Sequence, residues 1–289
     1  MDARRAPAQH RPDATHGRKP MPSLTIEGRE HHYAEAGPAD GPVLVLLHGT
    51  LGDQRSFAAM MGPLAAGGRR VLALSLRHCW PGAWEEGGDF RIATHVTDVA
   101  AFLAALGRGP VDLLGHSRGG HIAFRVAQHH PHLVRRLILA EPGGERDPSL
   151  GGAPGANAQA MAFAEGARLI AAGEDEAGLR HIAEHTGGPG AWDRRPEAQK
   201  AISRANARTL LGQIHEARSP YARAEAEAIQ APTLLLQGAQ TQPAFVANVT
   251  ALAGAIPDAR VEVIPRATHS LISEQPEAVA AAVLRFLSA

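Results

Sequence analysis

Ser117 stands in the run Gly115-His116-Ser117-Arg118-Gly119, a G-x-S-x-G pattern with a further glycine at 120. A serine hydroxyl is a poor nucleophile at neutral pH and becomes a useful one when a base within hydrogen-bond reach takes its proton. The flanking residues suit that use. Val111–Leu114 reads as a strand and Gly119–His130 as a helix, so Ser117 falls on the sharp turn between them. Glycines two before and two after it let strand and helix pass closely. The hydroxyl then stands free above the strand, at a helix N-terminus whose dipole favours developing negative charge. No H-E-x-x-H, P-loop or G-x-G-x-x-G spacing occurs, so the expected chemistry is nucleophilic, without metal or cofactor.

The elements that must position Ser117 follow from apolar runs. Val43–Leu47, Val71–Leu74, Val111–Leu114, Leu137–Ala140, Thr233–Leu236 and Val261–Ile264 are short, continuous and bounded by Gly or Pro. Such runs read as parallel strands buried on both faces. Helical patterns alternate with them at Phe57–Ala66, Ile92–Leu106, Gly119–His130, Phe245–Ala255 and Glu277–Leu287. Pro276 suits the first turn of the last one. Leu24–Ile26 and His31–Glu35 read as a leading antiparallel pair turning at Gly28. Alternating strand and helix implies right-handed crossovers and an α/β architecture.

Residues 142–230 break this rhythm. They open Gly/Pro-rich and continue as Ala-rich, helix-prone segments at Ala158–Ala172, Glu174–His185, Pro196–Gly212 and Pro220–Ile229. That is too long for a loop. It predicts a helical cap inserted between core segments 23–141 and 231–289, a lid over the C-terminal strand ends.

Composition narrows the function classes. The 289 residues can bury a sizeable core. Lys+Arg and Asp+Glu are both 29, so no basic excess argues for nucleic acid or an anionic membrane surface. No apolar run has the length of a membrane span. The lone Cys79 permits no internal disulfide. Residues 1–22 combine five Arg/Lys with four Pro and no apolar stretch, which reads as a disordered tail rather than a secretory signal. A cytoplasmic protein acting on a small molecule is the resulting expectation. Most of the sixteen histidines, among them His10, His16, His129, His130 and His132, are expected to be solvated.

Three motifs in order and at suitable spacing carry a resemblance over residues 24–288: His48-Gly49-Thr50 after an early strand, the turn Gly115–Gly119, and Thr268-His269-Ser270 near the end. The chain resembles serine hydrolases of the α/β-hydrolase superfamily, esterase- or lactonase-like. The resemblance implies a mostly parallel sheet flanked by helices. It also implies that the loop carrying His269 returns beside Ser117 as the base, and that the amides of Thr50 and Arg118 hold the oxyanion of a tetrahedral intermediate. His48 braces its loop.

The acid member departs from the family's usual pattern. Most relatives carry Asp just after the strand corresponding to Thr233–Leu236, yet no Asp or Glu occurs from Ala228 to Pro257. Some relatives supply the acid after the preceding strand, which here ends Leu139-Ala140-Glu141-Pro142. Glu141 is therefore the expected partner of His269, with Glu145 and Asp147 as weaker alternatives.

Other residues stay open. Trp80, Trp84 and Trp192 can line a substrate pocket or pack. The Arg118 side chain can bind a substrate carboxylate, or pair with Glu141 or an exposed acid. Cys79 is expected to be inert. The activity implied is hydrolysis of a carboxylic ester or lactone through an acyl-enzyme on Ser117. The alternatives are a lyase or C–C bond hydrolase on the same scaffold, or a ligand-binding protein with a vestigial triad.

Overall fold

The computed structural model describes residues 21–153, 158–216 and 218–289. The tail expected over residues 1–22 lies outside these except for its last two residues. Two strands, β1 (Ser23–Ile26) and β2 (Arg29–Ala36), form the leading antiparallel pair, with Glu27 and Gly28 both at positive φ in the turn. Next come β3 (Val43–Leu47), α1 (Ala58–Ala66), β4 (Arg70–Leu74), α2 (Ile92–Ala105), β5 (Val111–His116), α3 (Arg118–His129) and β6 (Val134–Ala140). Six helices follow: α4 (Ala158–Ala171), α5 (Asp175–Gly187), α6 (Ala191–Arg194), α7 (Glu197–Ala205), α8 (Thr209–Gln213) and α9 (Arg223–Glu227). The chain then returns through β7 (Thr233–Gly238), α10 (Pro243–Ala253), β8 (Ala259–Ile264), α11 (Leu271–Glu274) and α12 (Pro276–Ser288).

The eight strands form one sheet in the order β1-β2-β4-β3-β5-β6-β7-β8, parallel from β4 onward. This is the α/β-hydrolase fold. Continuous apolar runs form its centre because both faces are covered. Leu44 and Leu46 of β3 pack on one side with Phe57, Met60, Val283 and Phe286; Val45 and Leu47 pack on the other with Val99, Phe102, Ile122 and Phe124. Chain order reverses between β3 and β5, which opens a crevice at their C-terminal ends. Register places Leu47 beside Gly115, His116 beside Ala140, and Ala140 beside Leu236. The loops after β3, β5, β6 and β7 therefore emerge at one end of the sheet.

Some elements differ from expectation. Val261–Ile264 is not buried on both faces: Val261 is 47% and Val263 50% exposed. As part of β8 they lie on the terminal strand, where the flanking helices leave that face uncovered. The helix expected over Pro196–Gly212 is divided into α7 and α8. The break falls at Asn206, which is buried and whose amide donates to Asp53 Oδ2 at 2.7 Å while accepting the Trp80 N–H at 2.8 Å. These bonds tie the inserted segment to the sheet's loops. Of Pro220–Ile229 only Arg223–Glu227 is α-helical, because Tyr221 is drawn into a β-bridge with Arg146. The inserted helices share an apolar cluster of their own, including Phe163, Ile170, Leu179, Ile182, Trp192 and Leu210, closed by Leu51 from the loop after β3.

Candidate active site

Ser117 is held at φ 52°, ψ −118° between β5 and α3, a backbone region that costs of order 1–3 kcal/mol and needs surrounding support. The support is local. Its N–H donates to Ala140 O at 3.0 Å, and its carbonyl accepts the N–H groups of His121 and Gly143. The flanking glycines are steric requirements: a Cβ on Gly115 would lie 2.2 Å from Gly119 O, and one on Gly119 would lie 2.3 Å from Leu47 O.

The Ser117 hydroxyl is 3.0 Å from His269 Nε2, and His269 Nδ1 is 2.8 Å from Glu141 Oε2. All three residues are buried, Glu141 completely. A carboxylate only accepts, so Nδ1 carries the ring proton and Nε2 is free to accept from serine. His269 stacks on Phe245 with ring centroids 3.7 Å apart. Its carbonyl accepts from His116 Nε2 at 2.8 Å. The structure thus joins Ser117, His269 and Glu141 in one hydrogen-bonded chain.

The acid-free loop after β7 supplies donors instead of a carboxylate. Gly238 N–H donates to Glu141 Oε1 at 2.6 Å, and the Thr241 hydroxyl donates to Oε2 at 2.7 Å. Glu141 itself sits at φ 45°, turned into this loop directly after β6. Neither alternative acid bonds the imidazole. Asp147 caps a short turn through the Ser149 N–H, and the half-buried Glu145 has its carboxyl pushed up by burial.

Thr50 lines a cavity of about 90 Å³ together with Ser117 and His269. Its loop approaches so closely that a Cβ on Gly49 would lie 3.1 Å from Ser117 Cβ. Among the described residues, the backbone N–H groups of Thr50 and Arg118 meet no protein acceptor. His48 braces this loop: its Nδ1 donates to Gly49 O at 2.8 Å, while Nε2 accepts the Leu76 N–H at 3.0 Å.

The Arg118 side chain reaches neither the cavity nor Glu141. It is 1% exposed and binds Glu216 at 2.5 Å and Phe90 O at 3.2 Å. None of the three open readings of this side chain holds: its acid is the buried Glu216, because α3 carries residue 118 away from the cavity and into the protein. Burial pushes the Glu216 carboxyl up, but the charges of Arg118 and Arg218 outweigh it and hold the group below the usual range. The three tryptophans also lie elsewhere than in this cavity. Trp192 belongs to the cluster of inserted helices, Trp80 stacks under the Arg55 guanidinium at 3.8 Å, and Trp84 lies beneath Arg208 at 4.6 Å. Burial pushes the Cys79 thiol up to about 12, which leaves it unreactive.

The expectation of solvated histidines holds for the exposed His129 and His132 and the half-buried His130, while His10 and His16 lie outside the described residues; it does not extend to the histidines around the sheet. His31, His48, His78, His95, His121 and His269 are buried. Burial lowers His48 to about 4 and His116 to about 3, the latter helped by the charge of His269. His95 and His121 are also driven well down, chiefly by burial. Packing around the sheet's C-terminal end keeps these rings neutral. The sequence reading also missed Thr241, Phe245, His116 and the cavity-lining Arg195. Only Thr241 carried a signal, as a donor in a loop lacking the usual acid.

A family model described as the alpha/beta hydrolase fold matches residues 42–276. Haloalkane dehalogenase of Mycobacterium marinum is 37% identical over 113 residues, 38% of this chain and 37% of that protein. The chain therefore matches little more than a third of that relative's length. The sn-1-specific diacylglycerol lipase ABHD11 of Mus musculus is 28% identical over 278 residues, 87% of this chain and 83% of that one. Among solved structures, the enol-lactonase from Burkholderia xenovorans superposes with a TM-score of 0.77 at 21% identity, covering 93% of this chain and all of that one. No helix among the described residues is long and apolar enough to cross a membrane. With the family model spanning most of the chain, the protein belongs to the alpha/beta hydrolase fold family.

Proposed function

We propose that the protein hydrolyses a carboxylic ester or lactone through an acyl-enzyme on Ser117. The observation that carries this reading is the chain Ser117 Oγ–His269 Nε2, His269 Nδ1–Glu141, opening on the cavity lined by Thr50. Ser117 Oγ attacks the acyl carbon as His269 Nε2 takes its proton. The oxyanion that forms accepts from the backbone N–H groups of Thr50 and Arg118, donors of a kind worth roughly 10²–10³ in rate. His269 then returns the proton to the departing alkoxide. A water enters, loses a proton to His269 and attacks the acyl carbon. Collapse releases the acid and restores the Ser117 hydroxyl. Glu141 holds the imidazole in the required tautomer and stabilises its cationic form.

The lipase and enol-lactonase names among the similar proteins favour acyl transfer to water. The serine at position 117 separates this chain from relatives that displace halide or open epoxides with an aspartate there. The test is labelling by a fluorophosphonate probe alongside hydrolysis of 4-nitrophenyl acetate. Wild type should be labelled at Ser117 and turn over the ester; Ser117→Ala should do neither. A folded wild-type protein that stays unlabelled and inactive would overturn the reading.

A further inference from the structure

Arg195 lies on the segment between α6 and α7 and lines the same cavity as Ser117 and His269. The following Pro196 keeps its backbone extended, at φ −66° and ψ 130°, which ends α6. Its partners are few, one of them the Trp192 ring, whose centroid lies 5.6 Å from the guanidinium carbon. Among the described residues, the guanidinium donates one side-chain hydrogen bond, from Nη1 to Ser203 Oγ at 3.1 Å, and has no carboxylate within 4.0 Å. A guanidinium has five N–H donors and stays charged. Burial disfavours this charge, opposed by the more distant Glu274. The Glu274 carboxylate is already engaged by the N–H of Thr268 at 2.7 Å and its hydroxyl at 2.9 Å.

Two fully buried arginines differ from the half-buried Arg195. Arg118 holds Glu216 at 2.5 Å, and Arg125 holds Glu225 at 2.8 Å. Drawing a cation partly out of water without a counter-charge carries a cost, and that cost falls when a ligand supplies the anion. Gln199 also lines this cavity, and its side-chain amide offers further N–H donors to a small anion.

We propose that the substrate cleaved at Ser117 carries a carboxylate, and that Arg195 binds it while the acyl carbon lies against Ser117 Oγ. A carboxylate matches the planar edge of a guanidinium bidentately. It can also be reached from a scissile group at Ser117, because Arg195 and Ser117 line one cavity. The placement of the acyl carbon rests on the ester-hydrolase reading above; anion binding by Arg195 stands apart from it.

The test compares matched esters in wild type, Arg195→Gln and Arg195→Lys. For a carboxylate on the acyl side, 4-nitrophenyl hydrogen glutarate is set against 4-nitrophenyl valerate. On the leaving-group side, 4-acetoxybenzoate is set against phenyl acetate. Wild type should favour the charged member of at least one pair in kcat/KM. Arg195→Gln should reduce that preference roughly 10²-fold, chiefly through KM, and Arg195→Lys should restore part of it. Loss of a merely structural residue would lower both members and leave the ratio unchanged, which would overturn the proposal.

A second readout is independent of turnover: calorimetric binding of glutarate and benzoate to Ser117→Ala protein. At least one should bind, with Kd raised at least tenfold by Arg195→Gln. Equal binding with and without Arg195, or no binding, would overturn the anion site. Arg195-dependent binding with no turnover of any ester would sustain the anion site and overturn the hydrolase reading. Turnover without a charge preference would do the reverse.

Discussion

Thr241 donates its hydroxyl, at 2.7 Å, to the same Glu141 oxygen that accepts the Nδ1 proton of His269 at 2.8 Å. Residue 241 follows β7 and residue 141 follows β6, so the bond spans neighbouring strand ends. The loop without an acid thus fixes an acid supplied by its neighbour.

Glu141→Gln should lower kcat by roughly 10²–10⁴ with little change in KM, because the amide cannot stabilise the imidazolium equally. Thr241→Val, which removes one donor to Glu141, should cost about tenfold or less. Steady-state kinetics on 4-nitrophenyl acetate would read both. A Glu141→Gln enzyme near wild-type rate would remove Glu141 from the mechanism.

The turn at Ser117 tolerates no side chain at its glycines. Gly115→Ala and Gly119→Ala each place a methyl within 2.3 Å of backbone oxygen, where nothing flexible can yield. Each should destabilise by more than about 3 kcal/mol or prevent folding. Gly62 in α1 meets no atom within 4 Å of an added Cβ apart from its chain neighbours, and the crowding of that Cβ by the following Pro63 offsets the gain in helix propensity, so Gly62→Ala should change stability by less than about 1 kcal/mol. Urea midpoints compare the three variants. Equal midpoints for Gly62→Ala and Gly119→Ala would contradict the packing described.

Acid should weaken the fold before it titrates most carboxylates. His48 and His116 titrate at about 4 and about 3 when folded, against an ordinary value of 6.5. Below that value the unfolded chain binds protons that the folded protein does not. Their stabilisation is complete above about pH 6.5 and declines until pH passes the folded values. Each contributes a slope of ~1.4 kcal/mol per pH unit in that window, so a fall from pH 6.5 to 5.5 should cost roughly 2–3 kcal/mol. His95 and His121 shift in the same direction. Urea unfolding at pH 7.5 and 5.5 measures the loss, and an unchanged midpoint would mean these rings are not held neutral by burial.

The cavity's size favours compact acyl groups. It is about 90 Å³, and its wall mixes polar residues such as Ser56 and Gln199 with apolar ones such as Leu51, Phe163 and Ile182. Across 4-nitrophenyl acetate, butyrate, octanoate and palmitate, kcat/KM should fall by at least tenfold beyond the four-carbon acid. A preference for palmitate would show that the inserted helices open far wider than this conformation.

Much of this protein was legible in the sequence because its signals are local. A strand buried on both faces must be continuously apolar, as Val43–Leu47 is, and a tight strand-to-helix turn needs glycines at 115 and 119. Glu141 could be singled out because the stretch from Ala228 to Pro257, where the acid usually stands, contains no Asp or Glu. What tertiary structure decided depends on contacts between distant segments. The bracing of Glu141 by Gly238 and Thr241 requires β6 and β7 to be neighbours. The exposure of Val261 and Val263 follows from β8 being the terminal strand, which no apolar run encodes. Arg118 and Arg195 look alike in sequence, yet one is neutralised by Glu216, nearly a hundred residues away, while the other faces the cavity without a carboxylate partner among the described residues. Side-chain charge is written in the sequence; its compensation is set by which segments the fold brings together, and at this site that determines which arginine is available to a substrate.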